Sequence, residues 1–183
     1  MEALDAIHSR RTVRRYRADP VDRALLARAL WAAVQAPTPP VSKGGGWRIC
    51  VIEGAARLKA LGHRAKAYAR DHQPPGQHWA WTERPDFQVF WNAPAVVLFC
   101  ARDANPEAPS DCCRAAQTFL IAARALDLGT CWVGAPLPWL ASPGIADELG
   151  LPPCHGVAAA VLVGHPDENP VGEPRPEPDI LWI

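Results

Sequence analysis

The sequence predicts a three-layer α/β/α sandwich, and three observations predict it. Four short apolar segments, at 47–52, 94–101, 130–133 and 157–164, alternate with stretches of helical period. Residues 94–101, Pro-Ala-Val-Val-Leu-Phe-Cys-Ala, carry no charge, as a strand covered on both faces requires. At 183 residues, with 49% apolar and 21% charged content, the chain suits one domain that buries about 70% of its unfolded surface. A single domain over residues 1–183 is expected, with 166–183 as an extended tail. Periodicity leaves strand order and direction open.

The elements follow in order. Residues 2–8 place Leu4 and Ile7 at helical spacing and run into an arginine cluster. Asp22 is a candidate cap for a second helix with Leu26, Leu30, Ala33 and Val34 on one face, stopped by Pro37. Trp47 to Ile52 reads as a strand after the Lys43-Gly44-Gly45-Gly46 turn. Residues 55–70 form a helix with Leu58, Leu61 and Ala65 inward. Residues 71–92, rich in Pro, His and Trp and without a period, read as a lid or binding segment.

After the 94–101 strand, Ser110 or Asp111 is expected to cap a long helix. Its core face carries Ala116, Phe119, Leu120 and Ala123, and Gly129 ends it. Thr130 to Val133 is a short strand closing at Gly134. Ser142-Pro143 opens a short helix that Gly150 ends, and 157–164 is the last strand. The tail cannot be an ordinary helix because proline and glutamate dominate it. Its apolar end, Ile180-Leu181-Trp182-Ile183, is expected to dock, with a partner subunit as one candidate seat.

Composition narrows the function. Lys+Arg and Asp+Glu both number 19, so net charge gives no support for nucleic-acid or membrane binding. No apolar run reaches the roughly 20 residues of a bilayer span, and the N-terminus lacks a signal-peptide core, so a cytoplasmic location is expected. The six cysteines show neither zinc-ligand spacing nor a C-x-x-C pair, so no metal is expected. Tryptophans 79, 81, 91, 132 and 139 flank the proline-rich loops and are expected to line a concave aromatic surface.

Against this neutral background, five of the eight positions from Arg10 to Arg17 are arginine. A local cationic cluster points to one anionic ligand, since guanidinium forks match phosphate oxygens and Thr12 adds a hydroxyl. The second informative segment is Gly129-Thr130-Cys131-Trp132-Val133-Gly134, where a glycine at a strand's end lets backbone N–H groups approach a flat ring.

These pieces resemble the nitroreductase family of FMN-dependent oxidoreductases. Ser9-Arg10-Arg11-Thr12-Val13-Arg14-Arg15-Tyr16 is similar to the family's R-R-S-x-R-x-F/Y opening, and Ala36-Pro37-Thr38 to its A-P-S. Asn92-Ala93-Pro94, Leu126 through Gly134, Val163-Gly164-His165-Pro166 and the closing Pro178-Asp179-Ile180-Leu181-Trp182 also fit, in the same order. The resemblance implies an α+β three-layer sandwich that forms an intertwined homodimer with FMN at the interface. It further implies ping-pong electron transfer from NAD(P)H through FMN to a flat aromatic, nitro or quinone-like acceptor. The flavin carries the chemistry, so no catalytic side chain is required.

By the same resemblance, Arg10, Arg11 and Arg175 would hold the FMN phosphate, and Thr12 would bond near the ribityl chain. Arg14 would meet the pyrimidine edge of the ring, while Pro37, Thr38 and Pro39 would touch it from the other subunit. Trp132, Val133 and Gly134 would lie at the ring, the last two offering backbone donors. One interval departs from the family: where N-x-Q-P-W is usual, the chain reads Pro39 through Trp47 without asparagine or glutamine. That departure leaves two alternatives open. One is a biosynthetic flavin oxidase or dehydrogenase of this fold, like the cyclodipeptide oxidases; the other is a non-catalytic flavin- or nucleotide-binding homologue.

Overall fold

One four-stranded antiparallel sheet, in the order β1-β2-β4-β3, organises the chain. The strands are β1 (Trp47–Glu53), β2 (Ala95–Ala101), β3 (Gly129–Trp132) and β4 (Gly156–Gly164). The structure is a computed structural model that describes residues 1–38, 46–102, 105–152, 154 and 156–183. The 39–45 part of the departing interval, with Pro39, and the Lys43–Gly45 turn therefore lie outside the described residues.

Side-chain alternation along β2 and β4 explains the layers. Val97, Phe99, Val161 and Val163 face one core, shared with α2 (Arg23–Ala33) and α4 (Ala108–Ala125). Val96, Leu98, Ala160 and Leu162 face the other, under α3 (Ala55–Asp71), α5 (Leu137–Leu140) and α6 (Ile145–Glu148). Both faces of β2 are thus sealed, and all seven of its residues are buried. This is why the segment is apolar throughout although its partners are antiparallel. Ala108, Ala115, Ala116 and Ala123 of α4 are fully buried, which lets that helix approach the sheet closely.

Local chemistry sets most element ends. Asp22 caps α2 as its sequence implies, accepting from the Leu25 N–H at 2.9 Å. Gly54, at φ 104°, makes the turn from β1 into α3. Three expectations need correction. The long helix α4 is not capped by Ser110 or Asp111; it starts at Ala108 because Pro109 suits the first turn, and Asp111 sits buried inside it beside Arg114. Gly129 does not end that helix. Leu126 is its C-cap, Asp127 takes the left-handed position at φ 57°, and Gly129 opens β3 with Val13 packed against it. The short helix begins at Ile145, after Gly144 at φ 81°, rather than at Ser142, and α5 precedes it unanticipated.

Between α3 and β2, the 72–94 connection holds one 3-10 turn, Ala80–Thr82. α1 (Ala3–Ser9) buries Ala6 and leaves Leu4 and Ile7 exposed. On α2, Leu26, Ala29 and Ala33 are buried, whereas Val34 is exposed rather than part of the core face. Trp31 on the same helix is 72% exposed. The tail has no regular structure, and Leu181, Trp182 and Ile183 stand in solvent.

Gly164 is a close-packing position: a Cβ there would meet Pro94 Cδ and Tyr16 Cδ1, each at 2.7 Å. Both obstacles are rigid rings. Gly164→Ala is expected to destabilise by about 2 kcal/mol, lowering Tm by roughly 4–8 °C in a circular dichroism melt. An unchanged Tm would contradict this packing.

Candidate flavin-phosphate clasp and ring site

The arginine cluster is presented by backbone pairing. Val13 N–H donates to Thr130 O at 2.9 Å, and Thr12 bridges Thr130 in parallel, so residues 12–13 line the outer edge of β3. Four residues later the chain pairs with the start of its own tail. Arg17 N–H donates to His165 O at 2.9 Å, and Asp167 N–H donates to Arg15 O at 3.0 Å. One Glu168 carboxylate oxygen accepts the backbone N–H groups of Arg14 (2.5 Å) and Arg15 (3.1 Å). Tyr16 donates its hydroxyl to Val13 O at 2.7 Å, and burial pushes its pKa well up, so that proton stays in place.

This scaffold aims the cations. Arg11 donates to the carbonyls of His8 and Arg10, both at 2.8 Å, and lies flat against Gly172, where any Cβ would collide with its guanidinium. Arg10 is half-buried. Burial, and then the charges of Arg11 and Arg175, hold its pKa below the ordinary arginine value. Arg124, at the end of α4, donates to Ser9 Oγ at 3.0 Å. A cavity of about 60 Å³ lies among Ser9, Arg10, Arg11 and Arg124, with Glu168 on its wall already engaged by the amides above. It has room for a phosphate-sized group and not for a ring system.

Several arginines elsewhere are paired: Arg23 with Glu53, Arg64 with Glu148, Arg84 with Asp86, Arg114 with Asp111. Among the described residues, Arg10, Arg11, Arg14 and Arg175 have no carboxylate at ion-pair distance. Arg10 and Arg11 line the cavity and Arg175 adds its charge to Arg10, an arrangement that suits an anion.

Beside the clasp, Trp132 is partly exposed on β3 and Val133 is buried. Val133 donates its N–H to Ala160 O at 2.9 Å, extending the β3–β4 ladder, so it is not the free donor the sequence led us to expect. Gly134 is exposed, with open space where a Cβ would stand. Arg14 stacks over the Trp91 ring, 5.6 Å from its centroid, while the Cys131 thiol donates to Trp132 O. Pro37 and Thr38, at the end of α2, make no hydrogen bond or ion pair with the arginine segment among the described residues.

Sequence reading missed Arg124, Ser9 Oγ and Glu168 as parts of this site. Arg124 is one more basic residue in a helix's last turn, and nothing local signals that the turn faces residue 9. The tryptophans do not form one surface: Trp139 is buried beneath Arg64, apart from the 79–81–91 group.

With this geometry in hand, comparison with known proteins is decisive. The nitroreductase family model matches residues 7–165. The chain belongs to the nitroreductase family. A relative from Methanothermobacter thermautotrophicus, provisionally named NADH dehydrogenase/NAD(P)H nitroreductase, is 27% identical over 100% of this chain and 87% of its own length. A 5,6-dimethylbenzimidazole synthase from Rhodospirillum rubrum is 30% identical over 94% of this chain and 86% of its length. The fold matches a nitroreductase with bound FMN from Bacteroides fragilis with a TM-score of 0.85, at 22% identity, over 100% of this chain and 99% of that one. No helix among the described residues of this family member is long and apolar enough to cross a membrane.

Away from the clasp, one cysteine has unusual chemistry. A hydrogen bond with Cys100, against burial and aided by Arg48, brings the half-buried Cys50 thiol down to about 7. Burial pushes Cys112 up to about 12. Because the thiolate is the nucleophile, alkylation of Cys50 by iodoacetamide is expected to rise through about pH 7 in a Cys113→Ser background, with Cys112 inert. Peptide mass mapping checks this; Cys50 left unlabelled at pH 8 would contradict it.

Proposed function

We propose that this nitroreductase-family chain is an FMN-dependent oxidoreductase that works as a homodimer, taking electrons from NAD(P)H and passing them to a flat aromatic, nitro or quinone-like acceptor. The observation that carries the reading is the pair Arg10 and Arg11, which line a phosphate-sized cavity with Arg124 and have no carboxylate at ion-pair distance among the described residues, with the charge of Arg175 close to Arg10. FMN fits that chemistry, having one phosphate, a hydroxylated chain and a flat ring. When bound, FMN supplies the two-electron redox chemistry.

The chain's own residues then bind and orient. Arg10 and Arg11, with Arg175 adding charge, hold the phosphate through charge-assisted hydrogen bonds. Thr12 borders the path from the phosphate toward β3. Arg14 brings positive charge to the ring's edge, which favours the reduced state of the cofactor. Trp132 and Gly134, at the exposed end of β3, offer a flat contact and an unobstructed backbone. Pro37, Thr38 and Pro39 would complete the ring's surroundings from a second subunit. The FMN bound to the Bacteroides fragilis structure and the name of the Methanothermobacter relative support the cofactor and the electron donor.

A second copy is favoured by what one chain leaves uncovered. Among the described residues β1 pairs only with β2, so its outer edge carries no partner strand there. Trp31, Leu4 and Ile7 are exposed, and so is the tail's apolar end. An apolar extended segment and an exposed sheet edge satisfy each other by strand addition.

A second reading is a biosynthetic flavoprotein of the same fold, favoured by the name of the Rhodospirillum relative. Anaerobic addition of NADH or NADPH to the FMN-loaded protein separates the two: bleaching of the flavin absorbance supports the reductase, and a flavin that does not bleach supports the second reading. For the binding claim, Arg10→Ala with Arg11→Ala is expected to weaken FMN by on the order of 100-fold or more while the protein stays folded. Full FMN retention by that variant, measured by fluorescence titration, would overturn it.

A further inference from the structure

Trp91 and Asn92 are consecutive non-glycine residues at positive φ, 49° and 52°. Left-handed backbone is uncommon for any L-residue and rarer for a bulky one, and such strain persists where surrounding contacts enforce it. Here the turn just before β2 throws the Trp91 indole beneath the Arg14 guanidinium.

The indole is buttressed from behind. Phe87 meets it edge-on at 5.5 Å, Trp81 packs on Phe87 at 5.1 Å, and Trp79 stacks on Trp81 at 6.2 Å. All four rings are half-buried. This accounts for the aromatic content of the 72–94 connection, whose rings form a brace that ends at Arg14. Two restraints then meet on one exposed arginine. Glu168 holds its backbone N–H, and the indole face lies under its guanidinium. An arginine this exposed would otherwise sample many rotamers.

We propose that Trp91 is a positioning residue: it fixes the Arg14 guanidinium at the edge of the bound flavin ring and thereby sets how strongly the site favours the reduced cofactor. The proposal rests on the FMN reading above and adds to it a residue that does not itself contact the phosphate clasp. The attraction is that of a cation to the negative face of an indole. A leucine keeps apolar contact with Phe87 and loses that face; a phenylalanine keeps a ring.

The test uses the full-length protein loaded with FMN, in wild-type, Trp91→Leu, Trp91→Phe, Arg14→Met and Trp91→Leu/Arg14→Met forms. The flavin midpoint potential is read by equilibration with a reference dye, and the affinity for oxidised FMN by fluorescence titration. Trp91→Leu is expected to weaken reduced FMN about fivefold more than oxidised FMN. That ratio lowers the midpoint by roughly 20 mV for a two-electron couple. Trp91→Phe should restore most of the shift, and Trp91→Leu should add nothing once Arg14 is methionine. A wild-type midpoint in Trp91→Leu, or additive shifts in the double variant, would overturn the proposal while leaving FMN binding intact. If Trp91→Leu does not fold, Arg14→Met decides: it must lower the midpoint by at least as much, and an unchanged value overturns the proposal. Wild-type protein that takes up no FMN overturns the functional reading and this one with it.

Discussion

The backbone pairing that locks residues 12–17 between β3 and the tail is the interaction on which the site depends. Arginine is a long, flexible side chain, and five arginines in eight positions would repel one another and spread into solvent if their backbone were a loop. Instead, Thr12 and Val13 are registered on Thr130, Arg15 and Arg17 on Asp167 and His165, and Glu168 collects two further amides. Like charges are thereby held closer than they would choose. Arg10 is half-buried, and burial first, then the charges of Arg11 and Arg175, hold its pKa down. An anion relieves that repulsion, so the same bonds that hold like charges together favour a phosphate.

The sheet makes this arrangement rigid. β3 is an edge strand, yet its inner neighbour β4 is buried on both faces by two independent cores, so the edge cannot drift. Gly129 and Gly164 lie opposite each other in the β3–β4 register. Each is small because Val13 packs on one, and Tyr16 with Pro94 on the other. The N-terminal segment is thus seated by shape as well as by hydrogen bonds. At the opposite edge, β1 has no such cover among the described residues, and the apolar end of the tail is exposed.

Much of the fold is written in local pattern. The apolar runs and the 3.6-residue periods of α2, α3 and α4 gave their elements and most core residues, because burial on a regular element leaves a regular trace. Ends set by proline and left-handed residues were less legible. Asp127 at φ 57° ends α4 where a glycine two residues later offered the more familiar signal, and Pro109 starts it where Ser110 looked the better cap. α5, four residues around Pro138 and Trp139, is too short to show a period.

The arginine clasp was legible as composition, since so many cations in a neutral chain are conspicuous. Its completion was not. Arg124 and Glu168 reach it across more than 100 residues of sequence, through contacts that have no local spacing. The same holds for Trp91, whose role depends on a strained turn rather than on a motif. That Val133 spends its N–H on Ala160 follows from the pairing of β3 with β4, which periodicity leaves open.

The most direct test of this account is native-state hydrogen exchange of the Val13, Arg15 and Arg17 amides in the ligand-free protein. If the sheet and tail hold the clasp ready before any anion arrives, these amides exchange slowly, in step with those of β3 and β4. Exchange at the rate of an unstructured loop, with β4 still protected, would mean that the arginines are ordered by their ligand, and the central claim would fail.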